Sequence, residues 1–359
     1  MRTSVLHTAQ PAAATTAPST ATDRVSVCVV GAGSGVAPRH IEAFGEHPAT
    51  AVDALIESDP ARAELLRARH PGIAVTDRLP AAPRGAPGLA VVCVPDAAHT
   101  DVVTRCLDAG WHVLCEKPLT DDPEAAERLF ALAEDAGLHL AVAYQRRFML
   151  EDLHQRVADG AIGRLHCVNA RWLRRAGHPE SRRGLDRRGS GVRGDLIPHL
   201  LSQGLPFLGP GPLSVQARDW RVGDGWATED VARLIARGHD GIELQVDVAY
   251  DAPHLDRPDD CWVELHGGLG SIHAELPTHQ DAEWAAAHPP VLYPRTGTPE
   301  RLAPLRTTAE CHLLQADRIV RSLAAGPAPA ADRDRELALV RTMAAAQASA
   351  LHQGPIIQV

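Results

Sequence analysis

The sequence predicts an α/β protein in two parts: a parallel sheet covered by helices on both faces, then a mainly antiparallel sheet covered on one face. Three observations predict it. From Val25 onward short apolar runs alternate with amphipathic stretches, and a glycine-rich turn follows the first run. Beyond about residue 149 the runs lengthen and alternate apolar with polar residues.

Residues 1–24 are rich in Ala, Thr, Pro and Ser, show no apolar period and read as a flexible tail. They lack the continuous apolar core of about 7–15 residues that a signal peptide needs. VSVCVV (25–30) is a buried-strand pattern, followed by the glycine turn and a helix over about 37–45. AVDALIE (51–57) is a second strand, after which Asp59 caps a helix with Pro60 at its first position. LAVVCVP (89–95) is a third, with its helix closed by Gly110. HVLCEKP (112–118) and LHLAVAY (138–144) flank another capped helix, and the first domain, 25–148, closes near Phe148. In the second domain, 149–359, LHCVNARWLR, PLSVQARDWRV, VARLIARG, IELQVDVAY and CWVELHG give the antiparallel sheet, and helices over about 308–325 and 333–350 end the chain. The Arg-rich stretch 171–193 reads as a loop or lid.

Composition narrows the function. The 359 residues are 45% hydrophobic and 23% charged, too apolar for a disordered chain. A net charge of −9 disfavours nucleic acid as a partner, and no apolar run approaches the roughly 18–20 residues of a membrane helix. Seven cysteines scattered singly suit a reducing cytoplasm and frame neither disulfides nor a zinc cluster. The 19 histidines show no HExxH or paired ligand spacing, so no metal is expected. Of 36 basic residues, Lys117 is the single lysine. Arginine replaces lysine on a surface at little cost, but not where a compact ammonium with a movable pKa is required. Its survival points to function.

Three groups of residues carry chemistry. Gly31, Gly33, Ser34, Gly35 and Val36 join a strand to a helix, where a dinucleotide pyrophosphate rests on backbone N–H groups, although Val36 departs from the third glycine of GxGxxG. Glu57, ending the second strand, suits the adenosine ribose hydroxyls and repels a 2′-phosphate, which favours NAD over NADP. Glu116-Lys117-Pro118 ends a strand at the carboxyl edge of the sheet, where an ammonium can stabilise charge on a reacting oxygen. Asp195 and His199 share one face if helical, with Pro198 placing them at a helix start. A histidine of near-neutral pKa is a suitable base for an alcohol proton.

Together these residues resemble the Gfo/Idh/MocA oxidoreductase family, the glucose–fructose oxidoreductase and inositol dehydrogenase group. The resemblance covers about residues 25–359 and includes the glycine turn, Glu57-Ser58-Asp59-Pro60, Pro95 with His99, Glu116-Lys117-Pro118, Arg146-Arg147-Phe148, the Gly163 turn, and Asp195 with His199. It implies an N-terminal Rossmann domain, a C-terminal domain with a large open-faced sheet, bound nicotinamide, and a cofactor site that includes Pro95, His99, Glu116 and Lys117. It also implies a catalytic set of Lys117, Asp195 and His199 and a cis Lys117–Pro118 bond. Ile197 stands where the family has glycine, and Ser202 where a second Asp often follows; both put the substrate pocket in question.

The expected function is NAD-dependent oxidation of a secondary hydroxyl of a sugar-like small molecule. Alternatives are a nucleotide-sugar or cyclitol dehydrogenase, a glycoside hydrolase that recycles its NAD, and a non-catalytic NAD-binding sensor. An open-faced sheet with apolar residues implies a homodimer or homotetramer. Two stretches compete to line the cleft: Arg-rich 171–193, suited to phosphate, and acid-rich 253–283, suited to a cationic amino sugar or aminoglycoside. The acidic balance of the chain and its resemblance in composition to actinomycete proteins favour the second.

Overall fold

A computed structural model describes residues 24–178, 191–209, 211–326 and 330–359. The tail and most of the Arg-rich stretch, with Arg182, Arg183, Arg187 and Arg188, lie outside them.

The first part is a parallel sheet of β1 (Val25–Val30), β2 (Thr50–Ile56), β3 (Ala74–Thr76), β4 (Gly88–Val92), β5 (His112–Glu116) and β6 (Leu140–Ala143). Its order, β3-β2-β1-β4-β5-β6, reverses direction at β1, so a crevice opens between β1 and β4 at their carboxyl ends. Helices α1 (Ala37–Glu46), α2 (Pro60–Arg69), α3 (His99–Asp108) and α4 (Pro123–Asp135) connect the strands. β1 and β4 are apolar almost throughout because both faces are covered. The Asp59 carboxylate caps α2, accepting from the amides of Ala61 (2.9 Å) and Arg62 (3.0 Å). Sequence reading missed β3, a three-residue edge strand too short to show a period.

A 3-10 helix, Gln145–Leu150, and α5 (Glu151–Ala158) lead into the second sheet. It contains β7 (Leu165–Arg175), then α6 (Val192–Gly204), β8 (Pro212–Trp220), β9 (Val231–Gly238), β10 (Glu243–Ala252), β11 (Asp259–Gly267) and β12 (Gly270–Glu275). Beyond α7 (Ala282–Ala287) come β13 (Val291–Pro294), β14 (Glu300–Arg301), α8 (Thr308–Ala325), α9 (Ala330–Leu351) and β15 (Ile357–Gln358). The order is β14-β13-β12-β11-β7-β10-β9-β8-β15, with β7 and β10 parallel and the other pairs antiparallel. β12 to β15 were not foreseen.

Strict alternation sends Val168, Leu234, Val246 and Val263 inward, with α6 packed on β7, β9 and β10 and α9 on β8. The outward face differs from the apolar surface expected. It carries Arg233 paired with Asp247 (2.5 Å), Arg237 with Glu243 (2.9 Å) and His273 with Glu264 (3.1 Å), among which Ile235 and Trp262 are interspersed. Cross-strand charge pairs keep this face compatible with water.

Helix α6 starts at Val192, so Pro198 lies inside it rather than in its first turn. The proline withholds the N–H that would bond the Gly194 carbonyl. That irregular turn is where Lys117 meets the helix.

Candidate active site

The glycine turn is built by close approach. Gly31 has φ +77°, and a Cβ there would fall 2.9 Å from the Cys93 carbonyl, so the position requires glycine. The Gly33 amide donates to Glu57 Oε2 (2.8 Å) and the Asp59 amide to Oε1 (2.9 Å). The buried Glu57 carboxylate therefore ties the turn to the end of β2.

A cavity of about 600 Å³ starts at Glu57, Ser58 and Arg62, passes Gly31, Ser34, Gly35 and Val36, and ends at Lys117, Asp195 and His199. Pro95 and Glu116 also border it. His99 does not. Its ring nitrogens lie 2.6 Å from the Pro118 carbonyl and 2.9 Å from that of Val94, so it ties two loops together. Glu116 is mainly engaged inward, 2.7 Å from His40 of α1. The Lys117–Pro118 bond is cis.

At the far end, Lys117 Nζ donates to Asp195 Oδ1 and to the Asp195 carbonyl, both at 3.0 Å. The other carboxylate oxygen, Oδ2, accepts from Arg174 of β7 (3.0 Å) and the Tyr250 hydroxyl of β10 (2.5 Å). Burial alone would raise the Asp195 pKa; Lys117, Arg174 and Tyr250 outweigh it and hold the carboxyl well below its ordinary range. His199, one turn on, packs beside Trp172 with ring centroids 5.7 Å apart, and its buried Nδ1 has no partner among the described residues. Burial, reinforced by Lys117 and Arg146, pushes it well below the ordinary imidazole value. A near-neutral His199 is therefore corrected to one that stays neutral through ordinary pH.

The two family departures fall outside the pocket. Ile197 is fully buried in the core, and Ser202 donates to the His199 carbonyl (2.7 Å), steadying that turn. Sequence reasoning did not identify Trp172, Tyr250, Gln145 and His279 as site residues, and it assigned Arg174 to a phosphate-gripping loop. Tyr250 and Arg174 are strand residues whose alternation shows that one face is buried but not that it borders a cavity. Arg147 bonds Glu336 of α9 at 2.9 Å.

A cavity with an acidic group at one end, a glycine turn and helix N-terminus at its middle, and an ammonium–carboxylate–imidazole cluster at the other matches the polarity of a nicotinamide dinucleotide with a small substrate beside it. Fold and site define the class of dinucleotide-binding oxidoreductases. The model of the oxidoreductase family with an NAD-binding Rossmann fold matches residues 25–144, and that of the GFO/IDH/MocA C-terminal domain matches 150–273. The chain belongs to the Gfo/Idh/MocA oxidoreductase family.

Among relatives, the chain is 29% identical over 201 residues to D-glucoside 3-dehydrogenase of Escherichia coli K12, covering 54% of this chain and 57% of the relative. It is 35% identical over 181 residues to the myo-inositol dehydrogenase Hyg17 of Streptomyces leeuwenhoekii, covering 49% and 53%. The matches thus span little more than half of these curated relatives. In fold it is similar to GenD2 from gentamicin A biosynthesis in complex with NAD, with TM-score 0.77, 23% identity and coverage of 97% and 99%. An oxidoreductase from Agrobacterium radiobacter in complex with NAD+, L-tartaric acid and magnesium gives TM-score 0.79, 19% identity and coverage of 93% and 98%. Among the described residues no helix is long and apolar enough to cross a membrane.

Proposed function

We propose that the chain is an NAD-dependent dehydrogenase that oxidises a secondary hydroxyl of a sugar or cyclitol to a ketone, reversibly. The observation that carries this reading is the convergence of Lys117, Asp195 and His199 at the end of a cavity that begins at Glu57. In this reading residues 25–148 hold the cofactor and 149–359 supply the substrate wall. Gly31, Ser34, Gly35, Val36, Glu57, Pro95 and Glu116 would hold the dinucleotide, which when bound supplies the hydride acceptor.

Lys117 would donate a hydrogen bond to the reacting oxygen and stabilise its developing negative charge. His199, kept neutral by burial and neighbouring cations, would accept the hydroxyl proton at a ring nitrogen. Asp195, ionised and held at both oxygens, would fix the Lys117 ammonium in place. Arg174 and Tyr250 act through Asp195 as positioning residues.

The walls bear on substrate charge. Of the acid-rich stretch, Asp260 and Glu275 pair with Arg257, Asp281 caps α7, and Asp259 stands nearest the cavity, bonded to Trp172 and within 3.5 Å of Arg174. Lys117, Arg146 and Arg174 thus face Asp195 and Asp259, a set with no acidic excess to hold a cationic substrate. The lean to an amino sugar draws no support from this wall. A homo-oligomer joined through the outward sheet face would form across its charge pairs, and light scattering in low and high salt tests it.

The deciding experiment is a screen of neutral sugars, cyclitols, amino sugars, nucleotide sugars and glycosides with NAD, following NADH absorbance. Stoichiometric NADH from one class supports the reading. Glycoside cleavage without net NADH assigns the hydrolase, and NAD binding without turnover of any class leaves a sensor.

A further inference from the structure

Three segments distant in sequence bring His178, Asp259 and His279 together beside the substrate end of the cavity. His178 lies just past β7, Asp259 is the first residue of β11, and His279 follows β12 and borders the cavity itself. One ligand atom from each lies within 4.8 Å of the other two. We propose that these three side chains form a binding site for a divalent transition-metal ion of the zinc class.

Geometry supports three-point ligation. Metal–nitrogen bonds of about 2.0–2.1 Å put each imidazole centroid roughly 3.2 Å from the ion, so two rings at a tetrahedral angle lie about 5.2 Å apart. The His178 and His279 centroids are 5.6 Å apart, with their planes inclined by 32°. Asp259 Oδ2 lies 3.0 Å from His279 Nε2, against roughly 3.4 Å between two ligand atoms sharing a tetrahedral ion. Both separations lie within about half an ångström of the values that a shared tetrahedral ion requires.

The carboxylate is also oriented as a ligand must be. Its Oδ1 accepts from the indole N–H of Trp172 (2.9 Å) and lies 3.5 Å from Arg174 Nε, while Oδ2 lies 3.0 Å from His279 Nε2 and accepts from the Thr278 hydroxyl (3.3 Å). Outer-shell donors of this kind fix a ligating carboxylate. Arg174 is balanced by Asp195 as well as Asp259, so its charge is shared before an ion arrives. Among the described residues, two imidazoles and one carboxylate supply three ligands of a tetrahedral shell, the number found in zinc sites that take an outside oxygen ligand. With His279 on the cavity wall, a hydroxyl of a bound polyol can be that ligand. This last role rests on the dehydrogenase reading; the ion site does not.

The test uses the untagged full-length chain, dialysed against zinc and separately against cobalt(II), without substrate. Bound metal is read by atomic emission and inner-sphere ligation by the visible bands of cobalt. One ion per chain is expected at micromolar free metal. The His178→Ala/His279→Ala double variant is expected to lose more than about tenfold in affinity and the cobalt bands, with its melting temperature retained. His254→Ala/His288→Ala, at two imidazoles away from the cluster, serves as control and should bind like the parent. Failure of the parent to bind zinc stoichiometrically, or binding undiminished in the His178/His279 variant, overturns the site. Neither outcome bears on NADH formation, so the two readings fail separately.

Discussion

Lys117 Nζ sits 3.0 Å from both the Asp195 carboxylate and the Asp195 backbone carbonyl, joining the cis-proline loop of the first sheet to helix α6 of the second. One ammonium thus spans the two halves at the place where substrate and cofactor would meet. A guanidinium is larger and planar, and cannot satisfy the two acceptors while presenting a compact charge to a third oxygen. Lys117→Arg is expected to lower kcat by at least about 100-fold, in line with loss of an oxyanion donor. NAD affinity, measured by calorimetry, should change little. Turnover within a fewfold of the parent would remove Lys117 from the chemistry.

Glu57 performs two tasks at once: its charge faces the ribose end of the cavity, and its oxygens hold the Gly33 and Asp59 amides. Glu57→Gln removes the charge and retains one of the two acceptors, its NH2 replacing the other. The parent should prefer NAD to NADP in kcat/KM, and the Gln variant should narrow that preference by about tenfold, the scale of one lost charge repulsion. Equal use of both cofactors by the parent would refute the assignment.

These two residues also show how far the sequence could be read. Lys117 and Glu57 end apolar strands of a parallel sheet, and in that fold strand ends meet ligands, so position implied role. The same logic placed the glycine turn, α1 to α4 and the two closing helices. It failed for His99, where proximity in sequence to the third strand concealed a side chain turned away between two carbonyls. It also failed for Pro198, because the start of α6 is set by packing against β10 and the 3-10 helix rather than by a local cap. Arg174, Tyr250, Asp259 and His279 converge only through the register of β7, β10 and β11, which no local spacing encodes.

As the proposed base, His199 would set the acid side of the rate profile. Its pKa is pushed down by burial, with Lys117 and Arg146 adding to the effect, so the neutral form persists well below pH 6.5 in the free enzyme. For oxidation, kcat/KM should therefore stay level as pH falls through 6.5 and drop only at more acid pH. A titration of activity centred near 6.5 would show that another group, or a His199 in a wetter setting, controls the step. His199→Asn should abolish turnover while leaving the melting temperature close to that of the parent.

Glu336 gives a pH dependence of stability separate from the chemistry. It lies buried on α9, 2.9 Å from Arg147 of the 3-10 helix that carries Gln145 and Arg146 into the cavity wall. Burial raises its pKa from 4.5 to about 7, against the opposing pull of Arg147. A carboxyl whose folded value lies above its unfolded one stabilises the fold fully below the unfolded value, and that contribution is lost as pH rises through the folded value. The window therefore runs from about pH 4.5 to about 7, and a shift of this size corresponds to at most about 3 kcal/mol. Glu336→Gln keeps a neutral hydrogen-bonding group and removes the titration. Across that window the parent should lose melting temperature relative to the Gln variant, and the two curves should run parallel above pH 8. Parallel curves throughout would mean that pairing with Arg147 offsets burial and leaves the Glu336 pKa at its unfolded value.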